Sequence, residues 1–168
     1  MNPGIGLRLK ALFFDWLLIS VYLVLLAVCA VAVYTVLFDG VPEMTVSQSQ
    51  LLAAFTSVIP VTIIFSVMEG STGRASWGKR RAGLKVKYNG SPVRGSIIRN
   101  VLKFLPWQLG HMSTIHGIYV GFDTSFSIIC LTLSVVLVAV YVLMAFARSD
   151  NRHLADLLAG SRVLRTEP

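Results

Sequence analysis

Charge is what this 168-residue chain has least of: Asp, Glu, Lys and Arg make up 14% of it, where soluble domains carry about 25%. Together with 55% hydrophobic residues and a mean hydropathy of +0.71, that scarcity excludes an ordinary soluble domain and implies a membrane protein. Cysteine is scarce too. Cys29 and Cys130 form no C-x-x-C pair and read as small apolar fillers in the first and last apolar runs. No nucleophile with an aligned base is visible either, so neither redox nor hydrolytic chemistry is expected, and the chain does not read as an enzyme or as the holder of a cofactor. His111, His116 and remote carboxylates lack a recognisable ligand set, so no metal is expected. No internal repeat of the kind many transporters use is apparent. The basic balance, net +7 with a pI near 9.9, comes without an aromatic-interleaved basic surface or a finger motif, so nucleic acid is not expected as a partner. Membrane lipids are the simpler partner, each cation near anionic headgroups contributing about 1 kcal/mol.

What the chain does have is long apolar runs. Segments 12–38 and 124–147 are uninterrupted and exceed the roughly 20 residues needed to cross about 30 Å of hydrocarbon. A third, 51–68, is shorter and contains Pro60, tolerable in a membrane helix when a neighbour satisfies the carbonyl that the proline frees. Arg8 and Lys10 precede the first run as they would in a signal peptide, and LAVC ending at Cys29 faintly suggests a lipoprotein cleavage site. The run extends far beyond the about 7 to 15 apolar residues of a cleavable core, it contains Asp15, and Val28 is bulky where a small residue is needed. An uncleaved anchor is expected.

The 15 Lys and Arg residues fall in three clusters: Arg8 and Lys10, nine from Arg74 to Lys103, and four from Arg148 onward, with none between Asp39 and Gln50. The positive-inside rule assigns all three clusters to the cytoplasm, leaving Asp39, Glu43 and Asp123 opposite. Three crossings cannot achieve that. The remaining candidate is FLPWQLGHMSTIHGIYVGF (104–122), made polar by Pro106, Gln108, His111, Ser113, Thr114 and His116, groups that must face protein or a hydrated cavity. A re-entrant segment would return to its own side and break the charge rule. The expectation is an all-α membrane protein: one domain over 1–168, a four-helix transmembrane bundle in the cell membrane with both termini cytoplasmic, a cytoplasmic loop 69–103 and a tail 148–168. A water-lined path through so few helices would need a homo-oligomer, for which Gly110, Gly117 and Gly121 offer close contacts.

GRASWGKR (73–80) is one residue away from a nucleotide-binding P-loop. Arg80 stands where a Ser or Thr hydroxyl must meet magnesium, and a spanning helix precedes the loop in place of a buried strand, so the match is accidental. Beyond it Leu84, Val86 and Tyr88 alternate with Lys85 and Lys87, and Asn89-Gly90 offers a tight turn into residues 91–94; a short β-hairpin is expected. Asn89-Gly90-Ser91 is formally a glycosylation acceptor, but Pro92 follows and the segment lies on the cytoplasmic side. In the tail, Asp150 or Asn151 can cap a helix, Leu154, Leu157 and Leu158 form a stripe, and Gly160 stops it. That pattern predicts a C-terminal amphipathic helix.

Asp15 lies about one turn inside the first span, where a carboxylate is costly and marks a site or a paired charge. Arg8 is two turns away on the same face, about 10 Å along the axis, too far for a direct pair. The tail is expected to fold back and bring Asp156 near Arg8, leaving Asp15 facing the bundle interior. A structural clamp is the alternative for all three, with Asp15 satisfied by Trp107, a hydroxyl or a basic loop residue. His111 and His116 titrate near neutral pH and are candidates for a proton pathway; five residues apart, they are offset by about 140° on a helix and do not share a face.

Four segments in order resemble the RDD family of small multi-pass membrane proteins, named for one arginine and two aspartates. RLKALFFDWLL places Arg8 and Asp15 at the arginine and first aspartate; SWGKRRAGLKV resembles T-x-G-K-R-x-x-G-L-x-V, with Ser76 for Thr; SIIRNVLKFLPWQLGH (96–111) resembles a segment of one branch; and RHLADLLAGSRVL resembles the closing H-D-x-x-A-G-T-x-V. There Asp156 is the second aspartate, Ala155 stands where histidine is common and Ser161 where threonine is usual. The resemblance implies a transport role, including exchange of sodium for protons. Two readings follow: a transporter in which Asp15 exchanges a proton for a small cation, or a non-transporting scaffold or assembly factor whose Lys79, Arg80 and Arg81 contact lipid headgroups or a partner protein.

Overall fold

The computed structural model describes residues 3–166. Three of its helices are long and apolar enough to cross a membrane. The first is α1 (Ile5–Leu37). The second is a continuous helix, Val46–Gly70, made of α2 (Val46–Ala53), a π-helical stretch (Ala54–Val58) and α3 (Ile59–Gly70). The third is α6 (Ser125–Ala147). Between them lie a five-residue α4 (Trp77–Arg81), strand β1 (Leu84–Tyr88) and α5 (Pro92–Val120), a 29-residue helix unbroken through the polar segment. The chain closes with α7 (Leu154–Leu158) and β2 (Ser161–Arg165). Thr45 caps the second span with a capping box closed by Gln48, and Thr124 caps α6 by accepting from the Ser127 N–H, so these helix starts leave fewer N–H groups unpaired.

Both prolines inside the long helices are compensated from a neighbour. Pro60 has no N–H for the carbonyl of Thr56, four residues back; the Tyr22 hydroxyl, on α1, donates to that oxygen. Pro106 leaves the Leu102 carbonyl in the same condition, and the Tyr141 hydroxyl, on α6, donates to it at 2.8 Å. Ser134 on α6 donates to the Pro106 carbonyl at 2.7 Å. Helix α5 is thereby fastened to α6, and α1 to the second span. Val58, Val61, Phe65 and Phe104 form the main apolar cluster between α3 and α5, with Leu18, Ile19 and Tyr22 of α1 packed on it.

Two local expectations need correction. The alternating strand at residues 84–88 is present, with Leu84, Val86 and Tyr88 buried and the two lysines exposed. Its partner is the chain's other end: β1 pairs antiparallel with β2, from Leu84↔Arg165 to Tyr88↔Ser161. No hairpin forms across Asn89-Gly90, because Ser91 caps α5 by accepting from the Arg94 N–H and Pro92 opens it, in the first turn where an N–H has no helical acceptor to lose. The tail does not become an amphipathic helix either. Helix α7 lasts five residues and buries Ala155 and Asp156 while Leu158 of the stripe is 60% exposed. Gly160, at φ +59, then turns the chain into β2.

Candidate functional site

One end of the molecule holds a buried network of charges built on five elements. Asp15, on α1, is 3% exposed and meets the start of α4: the Ser76 hydroxyl donates to Oδ2 at 2.7 Å and the Gly78 N–H to Oδ1 at 2.8 Å. Ser76 is also the α4 N-cap, accepting from the Lys79 N–H. Glycine is obligatory at position 78. A Cβ there would come within 2.1 Å of the Ala11 carbonyl and 2.7 Å of Asp15 Oδ1, so only a bare Cα lets α4 reach α1.

From α4 the network runs inward. Lys79 Nζ donates to Glu69 Oε1 at 2.7 Å and to Ser76 Oγ at 3.3 Å, and it lies 3.8 Å from Asp15 Oδ2. Glu69, at the end of α3 and wholly buried, also accepts from Arg99 Nη1 and from Asn100 Nδ2, both on α5. Arg99 then donates Nε to Asp156 Oδ1 at 2.6 Å, and the Ser161 hydroxyl bonds the same oxygen at 3.0 Å. Burial by itself would raise the Asp156 carboxyl, but the Arg99 guanidinium outweighs it and holds the group at about 2. His153 Nε2 lies 3.4 Å from the other Asp156 oxygen; burial presses its imidazole down to about 4, against the pull of Asp156. His153 is therefore neutral at pH 7.

The sequence-nominated residues divide accordingly. Asp15 and Asp156 both lie in the network, each held by a serine hydroxyl, Ser76 and Ser161 respectively. Arg8 does not bond Asp156; its Nη1 donates to the Asn151 carbonyl, and Arg99 is the partner of Asp156. The reason is depth: Arg99 is 3% exposed and placed between two carboxylates by α5, whereas Arg8 stands at the rim. Asp15 is satisfied by a hydroxyl and a backbone N–H beside a loop lysine and not by Trp107, whose indole N–H bonds His111 Nε2 at 2.9 Å. Lys79 is 6% exposed and cannot serve as a surface contact; Arg80 and Arg81 are exposed, Arg81 lying over the Trp77 ring. His111 and His116 do not meet each other or the network. His116 Nδ1 is within 3.1 Å of Ser127 Oγ at the α5–α6 turn. Cys29 and Cys130 are both free thiols.

Glu69 and Arg99 were not nominated. Glu69 is the only carboxylate between Glu43 and Asp123, directly before the nine-cation cluster, and that isolation was its signal. Arg99 was hidden among cations read only as markers of sidedness.

A set of apolar helices joined at one end by buried ion pairs defines an integral membrane protein. The RDD family model matches residues 2–160, and the chain belongs to the RDD family, whose members are small membrane proteins. No curated protein and no solved structure matches the chain.

Proposed function

We propose that the chain is a cell-membrane transporter that exchanges a small monovalent cation for a proton at the oxygen cage around Lys79. It crosses the bilayer four times, with α5 as the third crossing, both termini cytoplasmic and the charge network at the inner face. The observation that carries this reading is the Lys79 ammonium, held by oxygens of three separate residues: Glu69 Oε1 at 2.7 Å, Ser76 Oγ at 3.3 Å and Asp15 Oδ2 at 3.8 Å. An ammonium so placed occupies the position a hard cation would take. When a cation enters, Lys79 releases one proton to water and swings away as a neutral amine. The charge of the cage is unchanged, so the exchange is one for one and electrically silent. A homo-oligomer supplies the rest of the water-lined route across the bilayer.

The test is flux. Purified protein in liposomes with a preset pH gradient is expected to dissipate it on addition of sodium or potassium. Asp15→Asn and Lys79→Met are expected to abolish the response while the purified variants still melt cooperatively. A wild-type protein with no flux under either cation overturns the proposal.

A second reading keeps some support from the exposure of Arg80 and Arg81 beside the buried cage: a scaffold whose basic surface holds headgroups or a partner protein. It differs in its outcome, giving no flux and a co-purifying partner that is lost on reversing those two charges.

A further inference from the structure

Beside the charge network a cavity of about 280 Å³ opens between α1, α5 and α6. Arg8, Lys79, Arg99 and Lys103 line it, against one lining carboxylate, Asp15. Counting the carboxylates behind the wall, Glu69 and Asp156, four cations face three anions, and His153 is neutral. The surplus is localised. Lys79 and Arg99 are consumed by Glu69 and Asp156. Arg8 has Nε and Nη2 buried with no hydrogen-bond partner among the described residues. The Lys103 ammonium rests over the rings of Phe65 and Phe104, at 4.6 and 4.9 Å, and forms no ion pair among the described residues. Partly buried cations left with unused donors are costly, and an anion among them relieves that cost.

We propose that this cavity binds the phosphate of an anionic phospholipid, with Arg8 and Lys103 as its ligands. The volume suits a headgroup and not a whole lipid. The mouth is apolar: Leu9, Leu12, Val142 and Phe146 line it and are 49–59% exposed, a surface for acyl chains and not for water. Cationic pockets between membrane helices at the cytoplasmic face are the setting in which such headgroups are held. A free phosphate shares the charge but makes no use of that apolar mouth.

The experiment is a melting titration of the purified full chain in detergent, with no flux required, so it stands apart from the transport proposal. Phosphatidylglycerol is expected to raise the Tm saturably, and phosphatidylcholine and inorganic phosphate are expected not to. Lys103→Gln removes no hydrogen bond among the described residues but does remove the contacts with the Phe65 and Phe104 rings, so its titration is read against its own lipid-free Tm; its phosphatidylglycerol midpoint should move up about five-fold, while Lys103→Arg keeps the wild-type midpoint. Equal shifts with phosphatidylcholine, full reproduction by inorganic phosphate, or an unaltered midpoint in Lys103→Gln would each overturn the assignment.

Discussion

The Tyr141 hydroxyl donates to the Leu102 carbonyl, the oxygen that Pro106 deprives of its helical donor. Tyr22 treats Thr56 and Pro60 in the same way. Each tyrosine substitutes for one missing N–H from a different helix. Tyr22→Phe and Tyr141→Phe should therefore each lower stability by about 1–3 kcal/mol, the cost of an orphaned buried carbonyl. Unfolding in mixed micelles reads this directly. Replacing Pro60 by Ala in the Tyr22→Phe background should recover most of the loss, because the helix then supplies its own donor.

Gly78→Ala tests the contact between α4 and α1. A methyl 2.1 Å from the Ala11 carbonyl forces the backbones apart and breaks the Gly78–Asp15 hydrogen bond as well. The expected loss is about 3 kcal/mol or more, overpacking and a lost bond together, seen as a fall in Tm or in folded yield. Ser76→Thr should be tolerated. Ser76→Ala should not, since Asp15 Oδ2 then loses its donor.

Arg99 neutralises two carboxylates at once, so single and double variants should be far from additive. Arg99→Met alone leaves Asp156 without its guanidinium and Glu69 with Lys79 as its one remaining ion pair among the described residues, an expected loss of about 3–5 kcal/mol. Adding Glu69→Gln and Asp156→Asn to it should restore part of that stability. A double-mutant cycle on denaturant midpoints measures the coupling, and additive costs would show that the network is not one unit.

Stability should also depend on pH through the tail. His153 faces Asp156, with Tyr141 stacked at 5.4 Å and Arg99, Lys103 and Lys79 close enough to repel a proton from it. Folding lowers its pKa from about 6.5 to about 4. Across that interval the unfolded chain binds a proton that the folded one refuses. The stabilisation is thus complete above about pH 6.5 and declines as pH falls to about 4, by roughly 3 kcal/mol. Asp156, held at about 2, adds a further decline below about pH 4, where only the unfolded chain takes up its proton. Melting of wild type against His153→Gln from pH 7.5 to 4.5 checks the first part: the variant should give the flatter profile.

Apolar runs, prolines and the strand at 84–88 were legible in the sequence because each depends on local pattern: length, a missing N–H, or alternation of side chains. The pairing of that strand was not. Asn89-Gly90 favours a turn, yet Ser91-Pro92 is a still stronger helix start, and the partner strand lies beyond three further helices. The family residues Asp15 and Asp156 were identifiable by resemblance, but their partners were not. A carboxylate advertises its need for a donor without naming one, and Arg99 competes with fourteen other cations. The leucines at 154, 157 and 158 misled for a related reason: amphipathic spacing assumes that water lies on one side, and here Asp156 turns inward to meet a charge.

The pairing of β1 with β2 sets an order on biosynthesis. Arg99 is translated 57 residues before Asp156, and Arg8 precedes its acceptor Asn151 by 143. All the long helices thus emerge from the ribosome before the cluster at their base can be completed. Until the tail arrives, Arg99 has only Glu69 to neutralise it and the edge of β1 is bare, so the nascent protein must be inserted first and latched afterwards.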